Sequence, residues 1–364
     1  MDVLTANSLP TKTIAADLRM DCVRIVADDL TGACDSAAAF AATRCGVRVW
    51  LGPGATVESD EPVQAFNTDS RGLDAQAAAE SVIRAAGAIS GQGRTLWFKK
   101  VDSAGRGPIA AELLAAHRAL GTRAILFAPS FPAAGRTVVE GVLRIEDAAG
   151  SRAVDLMEVF AGEFVRVDHV GNAWEIPEAI AGGATVLVCD ASTEHELEEL
   201  AAVEKPGLLY AGSAGLAKAL AAVRFAGSST EAERVPRGLR AMTVCGTPHR
   251  ATQVQMSHLA AAVPGHARLH VRAEAGNAET ILAEFRRYDP EALILTGGDT
   301  ALLALAALGA HSIVLRGEVA AGIPWGEIQG GVADGRVVIT KSGGFGVADS
   351  LTRIVRELTG ESAE

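Results

Sequence analysis

Residues 25–40 read IVADDLTGACDSAAAF, a buried strand, an acidic turn and an alanine-rich helix in succession. The apolar run that ends at Ala27 has the length of a parallel strand, and the helix is expected to begin after Gly32. Asp28 and Asp29 therefore stand at the carboxyl end of the strand, and neither is expected to cap the helix. Ligands of open α/β sheets bind beyond the carboxyl ends of strands. The acidic pair is therefore a candidate site.

The same alternation of short β-type and helix-type runs continues along the chain, which is typical of βαβ units. A small, polar, proline-containing stretch interrupts it and indicates a linker. We predict an α/β fold with two α/β domains, mainly parallel sheets and a cleft between the domains. The predicted parts are a flexible tail at 1–20, a first domain at 21–225, a linker at 226–240 and a second domain at 241–364.

Composition excludes several kinds of partner. The 364 residues carry a formal net charge of -11, which argues against nucleic acid or an anionic membrane, because binding phosphates on such partners needs a basic surface. No apolar stretch is long enough to span a bilayer, and residues 1–20 lack the features of a secretory signal. The five cysteines form no CxxC pair, which favours reduced thiols in a cytoplasmic protein. A small-molecule partner remains, and a homodimer is left open.

Charged and polar side chains gather after three strands of the first domain. Such a mixed set suits a small polyhydroxylated acid, because arginine binds a carboxylate with two parallel hydrogen bonds and aspartate accepts from hydroxyls. Each residue alone is better interpreted as a solvated loop charge, but their recurrence at strand ends favours a site. The candidate substrate-binding residues are Asp69, Arg71, Lys99, Lys100, Asp102, Ser103 and Arg136.

Three glycine-rich turns follow strands in the second domain, within TVCGTPHRATQ, ILTGGDTALLAL and VVITKSGGFGVADSL. Backbone amides at a helix N-terminus bind phosphates, so three such turns indicate a nucleotide. The chain has neither the GxxxxGK[ST] motif of P-loop enzymes nor a GxGxxG that opens a helix. His249 either donates to a phosphate or caps its helix, and the cap is favoured. The candidate nucleotide residues are Thr247, His249, Thr252, Gly297, Gly298, Asp299, Thr300, Lys341, Gly343 and Gly344.

Eight motifs occur in the order of one known family: ADDLTGACD, FKKVDSAGRG, APSFPAAGR, AGSAGLA, CGTPHRATQVQ, GGDTA, GEVAAGIPWG and KSGGFG. From about residue 22 onward the chain thus resembles the four-carbon acid sugar kinases, which act on threonate, erythronate or 3-oxotetronate. The resemblance implies an N-terminal substrate-binding domain and a C-terminal nucleotide-binding domain. It also implies ATP- and Mg²⁺-dependent phosphorylation of the terminal hydroxyl of a small sugar acid. ATP itself is expected to hold most of the Mg²⁺ coordination, so we predict no protein metal site.

The resemblance assigns roles to three candidate catalytic residues, Asp29, Asp28 and Arg106. One aspartate accepts the proton of the reacting hydroxyl or holds that hydroxyl in line. Adjacent residues on an extended segment point to opposite sides, so the two aspartates should have different roles. We assign this role to Asp29, because it lies further beyond the strand and nearer the Thr31-Gly32 turn, and we expect Asp28 to bind loop amides or a cation. Arg106, with Arg71 and Lys100, is expected to bind the substrate carboxylate and to offset charge in the transition state.

Two segments depart from the family pattern. Residues 104–108 read AGRGP where the family has Thr-Leu-Arg-Gly-Asn, and residues 245–249 read CGTPH where it has Ser-Gly-Ser-Cys-Ser. Three alternatives therefore stay open. The first is a catalytically inactive sensor of sugar acids, and the second is a kinase for a different small hydroxy acid. The third is a receiver-like phosphoacceptor domain, although the further strand-end aspartate of a receiver cannot be placed.

Overall fold

The computed structural model describes residues 22–42, 46–52, 59–89, 94–147, 150–225 and 233–361. The predicted tail, Cys45 and residues 226–232 of the predicted linker lie outside these ranges. We call residues 22–225 the first lobe and residues 233–361 the second lobe. None of the helices in the described ranges is long and apolar enough to cross a membrane.

The predicted α/β fold class is confirmed, because strands and helices alternate through both lobes. The first lobe contains the strands β1 (Cys22–Ala27), β2 (Val47–Trp50), β3 (Val63–Asn67), β4 (Thr95–Lys100), β5 (Ala124–Ala128), β6 (Arg136–Val139), β7 (Val142–Asp147), β8 (Gly150–Asp155), β9 (Val167–Val170), β10 (Val186–Cys189) and β11 (Leu208–Gly212). The second lobe contains β12 (Ala241–Cys245), β13 (Ala267–His270), β14 (Ala292–Thr296), β15 (Ser312–Ala320), β16 (Ile323–Gln329) and β17 (Val337–Lys341).

The helices cover both faces of the sheet. They are α1 (Leu30–Ala38), α2 (Ala75–Ala88), α3 (Ile109–Leu120), α4 (Ile176–Ala181), α5 (Glu194–Ala202), α6 (Ala214–Arg224), α7 (Arg250–Ala262), α8 (Ala278–Tyr288), α9 (Gly298–Ala307) and α10 (Ser350–Thr359). In the first lobe α2 and α3 bury one face of the sheet, and α1, α5 and α6 bury the other. The core under α1 continues without a break to α9 of the second lobe. The apolar interior therefore spans both lobes.

The strands of the two lobes form one sheet. In the described residues fourteen strands pair in the order β13-β12-β14-β17-β16-β15-β2-β3-β1-β4-β11-β5-β10-β9. The lobes join where β15 pairs antiparallel with β2, with Ser312 opposite Trp50 and Leu315 opposite Val47. Neighbouring strands within this sheet are parallel except at the pairs made by β15 and β16. The sheet is thus mainly parallel, as predicted, but it is continuous across the two domains.

Strand register brings the predicted loops to one edge of the sheet. In the first lobe Ala27 of β1 lies opposite Asn67 of β3 and Lys100 of β4. The loops that contain the acidic pair, Arg71 and Asp102 therefore leave the sheet side by side. In the second lobe Cys245, Thr296 and Lys341 are in register, so the three glycine turns also leave together.

Two parts of the fold differ from the sequence prediction. Strands β6, β7 and β8 form a separate antiparallel sheet beside the carboxyl edge, which the sequence did not predict. The first helix begins at Leu30 rather than after Gly32, because Asp29 caps it by accepting a hydrogen bond from the Gly32 amide. This capping bond satisfies an amide that has no partner within the helix.

Candidate active site

Asp28 is held by Arg71, which lies in the loop after β3. The Arg71 guanidinium donates from Nε to Oδ2 at 2.8 Å and from Nη2 to Oδ1 at 2.9 Å. Asp28 is 2% exposed, so this paired geometry compensates a charge that water does not reach. The predicted role of Asp28 as the partner of a cation agrees with this contact.

Asp29 binds the same arginine and also lines a cavity. Its Oδ1 accepts from Arg71 Nη2 at 2.7 Å and from the Gly32 amide at 2.9 Å, and its Oδ2 accepts from Thr31 Oγ1 at 2.7 Å. The sequence predicted that the two aspartates would have separate surroundings, but both contact Arg71. Of the pair, only Asp29 is among the residues that line the adjoining cavity.

The two carboxyl groups differ in acidity. Burial raises the pKa of Asp28 and is only partly opposed by the positive charge of Arg71. Burial alone would also raise the pKa of Asp29, but the charges of Arg71 and Lys100 and the hydrogen bond from Thr31 outweigh it, so that this pKa lies below its usual value. Asp29 is therefore the more firmly ionised group of the pair.

Asp102 extends the charged cluster on the next loop. It accepts from Arg106 Nε at 2.7 Å and from Arg106 Nη2 at 2.9 Å, and its Oδ1 lies 3.6 Å from Arg71 Nη2. Burial alone would raise the pKa of Asp102, but these two arginines hold it well below its usual range. The Arg106 side chain is 61% exposed, so it can reach a ligand in solution at little cost.

The two adjacent lysines of β4 point to opposite faces, as strand residues do. Lys100 lines the same cavity as Asp29, and its Nζ donates to the Val101 carbonyl at 2.7 Å. Lys99 is fully buried, and its Nζ donates to Glu112 Oε2 of α3 at 2.8 Å. Lys99, a predicted substrate residue, is thus placed in the core and away from the cavity.

Two connected cavities lie beside these residues. The smaller one, of about 30 Å³, is lined by Asp29, Arg71 and Lys100. The larger one, of about 380 Å³, is lined by Arg106, Arg136 and residues of β8. Asp102, Ser103, Ser342 and Phe345 line both. The cavities therefore form one recess between the lobes.

The larger cavity is rich in arginine. Arg136 is 9% exposed, its Nη2 lies 3.3 Å from Asp147 Oδ2, and its Nε has no hydrogen-bond partner among the described residues. Arg106 and Arg152 line the same cavity. Arg152 comes from the small antiparallel sheet, which the sequence did not predict, so the sequence offered no reason to place it here. Two aspartates, Asp102 and Asp147, also line this cavity, so the three arginines leave an excess of positive charge that suits an anion.

The three glycine turns of the second lobe converge on one residue. A Cβ added at Gly297 would lie 2.9 Å from Thr247 Cβ, and one added at Gly343 would lie 2.7 Å from Thr247 Oγ1. Gly297 also has a φ of 97°, a left-handed conformation that favours glycine. The turns thus pack too closely for side chains at these two positions.

Three predicted nucleotide residues brace this surface. Lys341 is fully buried and its Nζ donates to the Ser342 and Phe345 carbonyls at 2.9 and 3.1 Å. Thr252 Oγ1 donates to the Gly343 carbonyl at 2.7 Å. Thr300 is 2% exposed and lies close to Gly246. These side chains fix the turns from within.

His249 caps its helix. Its Nδ1 accepts a hydrogen bond from the Ala251 amide at 3.2 Å, which is the alternative that the sequence favoured. The ring also lies beside Gly344 and lines the larger cavity.

Helix α9 differs from α7, because no side chain caps its N-terminus at Gly297. Its first amides are thus left for a ligand.

The lobes meet at the acidic pair. A Cβ added at Gly298, the first residue of α9, would lie 2.8 Å from Asp29 Oδ2. Asp69 lies near the same place, since the negative charges of Asp299 and Asp29 add to burial in raising its pKa. The glycine turn of one lobe therefore touches the carboxylate of the other.

Replacement of Gly298 by alanine is expected to impair activity and leave the fold intact. The methyl group would press on Asp29 and crowd a phosphate bound at α9, so we expect a higher KM for ATP and a fall in kcat of up to about 100-fold. Steady-state kinetics and thermal unfolding measure both effects. Gly87→Ala is the matched control, because a Cβ there meets nothing within 4 Å. Unchanged ATP kinetics in folded Gly298→Ala would contradict the assignment of the turn.

Several residues of the recess were not predicted. Asp35 of α1, Phe131, Ser342 and Phe345 line the smaller cavity. The rings of Phe131 and Phe345 come from different lobes and pack edge to face at 6.0 Å between centroids. Asp35 carried a signal that could have identified it, since it is a charged residue within the alanine-rich helix ACDSAAAF.

The comparisons with known proteins agree with this architecture. Residues 23–163 match a model of a sugar-binding N-terminal domain, and residues 270–351 match a model of a nucleotide-binding C-terminal domain. Two solved structures share the fold. A protein of Salmonella typhimurium LT2 has a TM-score of 0.72 and 21% identity, and the match covers 93% of this chain and 99% of that protein. A protein of Haemophilus influenzae has a TM-score of 0.66 and 20% identity, and the match covers 90% of this chain and 97% of that protein.

Curated relatives are similar over nearly their whole length. The D-threonate kinase of Bordetella bronchiseptica is 31% identical over 92% of this chain and 97% of its own, and that of Cupriavidus necator is 30% identical over the same shares. The D-threonate kinase of Salmonella typhimurium is 28% identical over 90% of this chain and 96% of its own. The interpretation of the sequence as that of a sugar-acid kinase is confirmed, and the chain belongs to the four-carbon acid sugar kinase family.

Proposed function

We propose that the protein uses ATP to phosphorylate the terminal hydroxyl of a four-carbon sugar acid, with D-threonate as the first candidate. One observation carries the proposal: the uncapped N-terminus of α9 lies against Asp29, at the point where the two lobes meet. A helix N-terminus attracts phosphate, and an ionised carboxylate attracts a hydroxyl. Donor and acceptor of a phosphoryl group would thus be adjacent.

The residues of the second lobe fit the phosphates of ATP. Three close-packed turns, at 246–249, 297–300 and 342–346, carry glycines, which have no side chains that would block a phosphate. Lys341 and Thr252 brace these turns from within. When bound, ATP supplies the phosphoryl group. The protein's part is to hold the phosphates with backbone amides and to exclude water from the recess.

Asp29 would hold the reacting hydroxyl. It is ionised at neutral pH because its pKa is lowered, and it lines the smaller cavity. Accepting the hydroxyl's hydrogen bond orients that oxygen, and the carboxylate can take its proton as transfer proceeds. Phosphoryl transfer depends mainly on such positioning and on charge stabilisation. Arg71 and Lys100 would supply positive charge beside the carboxylate.

The arginines of the larger cavity would bind the substrate carboxylate. Arg106 is exposed and Arg136 has a free Nε, so both can accept a new partner. Two-point binding, with the carboxylate at the arginines and the terminal hydroxyl at Asp29, would fix the direction of the sugar acid. Ser103 lies between the two ends of the recess and can bind a hydroxyl.

Mg²⁺ would enter with ATP. The described residues contain no group of three or more metal-ligating side chains in a suitable arrangement. Mg²⁺ keeps several waters and needs only one or two protein carboxylates besides phosphates. Burial and the negative charges of Asp299 and Asp29 raise the pKa of Asp69, so a cation bound here would relieve the repulsion between these carboxylates. The reaction would take place in the cytoplasm, where the buried thiols of Cys34, Cys189 and Cys245 would stay reduced.

A substrate panel tests the proposal. With ATP and Mg²⁺, we expect ADP formation with D-threonate or one of its four-carbon relatives (L-threonate, D-erythronate and 3-oxotetronate) and none without an acid. Calorimetric binding of an acid without ADP formation would favour the inactive sensor. Turnover confined to acids of another chain length would favour a kinase for a different substrate. Sedimentation of the same preparation tests whether the protein forms the homodimer that the sequence left open.

A further inference from the structure

Asp35 occupies an unusual place in the recess. It lies on α1, is 6% exposed and lines the same cavity of about 30 Å³ as Asp29 and Lys100. Its Oδ1 has no hydrogen-bond partner among the described residues. Buried carboxylate oxygens normally have partners, because an unsatisfied one loses its hydration without compensation. Within the described part of the chain, no hydrogen bond accounts for this oxygen of Asp35.

The groups around Asp35 keep it available. Lys218 of α6 faces it but lies 3.4 Å from Glu318 of β15, and Lys100 of β4 and Asp29 complete its charged surroundings. Burial raises the pKa of Asp35 to about 6, with Glu318 and Asp29 adding to the rise and Lys218 and Lys100 opposing it. At pH 8 the group is therefore ionised, and its free oxygen is a strong acceptor.

We propose that Asp35 accepts a hydrogen bond from a second hydroxyl of the sugar acid, one that is not phosphorylated, while Asp29 holds the terminal hydroxyl. The inference rests on the proposed function. A cavity of about 30 Å³ has room for roughly two water-sized groups, which suits two neighbouring hydroxyls. The carboxylate end then extends into the larger cavity beside Arg136. Asp35 thus makes the enzyme specific for polyhydroxylated acids.

The experiment combines substitutions at Asp35 with substrate analogues that lack one hydroxyl. Wild type, Asp35→Asn and Asp35→Ala are assayed at pH 8 with D-threonate, with 2,4-dihydroxybutanoate and with 3,4-dihydroxybutanoate. Each analogue lacks one inner hydroxyl and keeps the terminal hydroxyl and the carboxylate. We expect Asp35→Ala to lower kcat/KM for D-threonate by about 10–100-fold. With one of the two analogues, the wild type and Asp35→Ala should have equal kcat/KM.

Stability separates a substrate contact from a structural role. Removing a buried carboxylate that has no partner should leave the melting temperature unchanged or higher, since ionising Asp35 in the folded state is unfavourable. Ser36→Ala is the matched control, because Ser36 is also buried on α1, its hydroxyl has no hydrogen-bond partner among the described residues, and it does not line the recess. It should keep wild-type kinetics with every substrate.

Three results would overturn the proposal. An equal loss with all three acids would make Asp35 part of the phosphoryl-transfer step, and no loss with any would remove it from the site. A lower melting temperature in both Asp35 variants would make it structural. Binding of the acids to wild type and to the Asp35 variants is measured in parallel by calorimetry. If wild type binds D-threonate without phosphorylating it, the proposed function fails. The Asp35 contact is then decided by comparing the affinities of wild type and the variants for the three acids. Failure of wild type to bind any four-carbon acid would reject both.

Discussion

Asp29→Asn is expected to lower kcat by about 10²–10⁴-fold while the KM for ATP changes much less, because a positioned base contributes about this much. The substitution keeps the shape of the side chain that Thr31 and the Gly32 amide contact, but it removes the charge that would hold the hydroxyl. Steady-state kinetics over a range of ATP and sugar-acid concentrations measure the effect.

Asp28→Asn is the matched control, because Asp28 shares Arg71 with Asp29 but does not line the recess. It should act mainly through stability, on the order of 1–3 kcal/mol, since it disturbs a buried hydrogen-bonded pair. A folded but inactive Asp28→Asn together with a fully active Asp29→Asn would reverse the two assignments. Full activity of both variants would make the pair structural and the proposed mechanism wrong.

Lys99→Met is expected to lower the free energy of unfolding by about 3–5 kcal/mol, because it leaves Glu112 charged and without its buried partner. The double variant Lys99→Met/Glu112→Leu should recover most of this loss, since replacing both members of a buried ion pair by apolar residues is often neutral. Urea unfolding measures both variants.

Arg166→Met provides the comparison for Lys99, because it breaks an ion pair with Asp168 in which the arginine is 54% exposed. Exposed pairs contribute about 0–1 kcal/mol, so this variant should unfold almost as the wild type does. A stable Lys99→Met with a raised KM for the sugar acid would instead restore the sequence prediction that Lys99 binds substrate.

Lys99 and Lys100 illustrate how far sequence alone reaches into the site. The strand-end position of both residues was apparent from the alternation of apolar and polar runs. Which lysine faces the recess depends on which face of the sheet α3 covers. That arrangement is set by tertiary packing, which local sequence patterns do not reveal. Arg71 was predicted to bind the substrate, but in the structure it forms ion pairs with Asp28 and Asp29. Such pairing arises between loops that only the sheet brings together.

The parts of the fold that the sequence missed are those set by long-range antiparallel pairing. Local periodicity predicts single strands and helices, and it predicted their alternation through both lobes. It carries no information about the partner of an edge strand, so neither the union of β2 with β15 nor the small sheet of β6–β8 was predicted. Asp35 stood out in the sequence as a charged residue in an alanine-rich helix, but its lack of a hydrogen-bond partner among the described residues is visible only in three dimensions.

The union of β2 with β15 has a consequence for synthesis on the ribosome. Arg48 of β2 donates to Ser312 Oγ at 3.0 Å across 264 residues of sequence. At about 5–20 residues per second, β15 follows β2 out of the ribosome by roughly 13–53 s. During that time the edge of β2 exposes backbone groups on which other chains can pair. Nascent first lobes should thus depend on chaperones until residues 312–315 emerge, and slowed translation of the second half should increase aggregation.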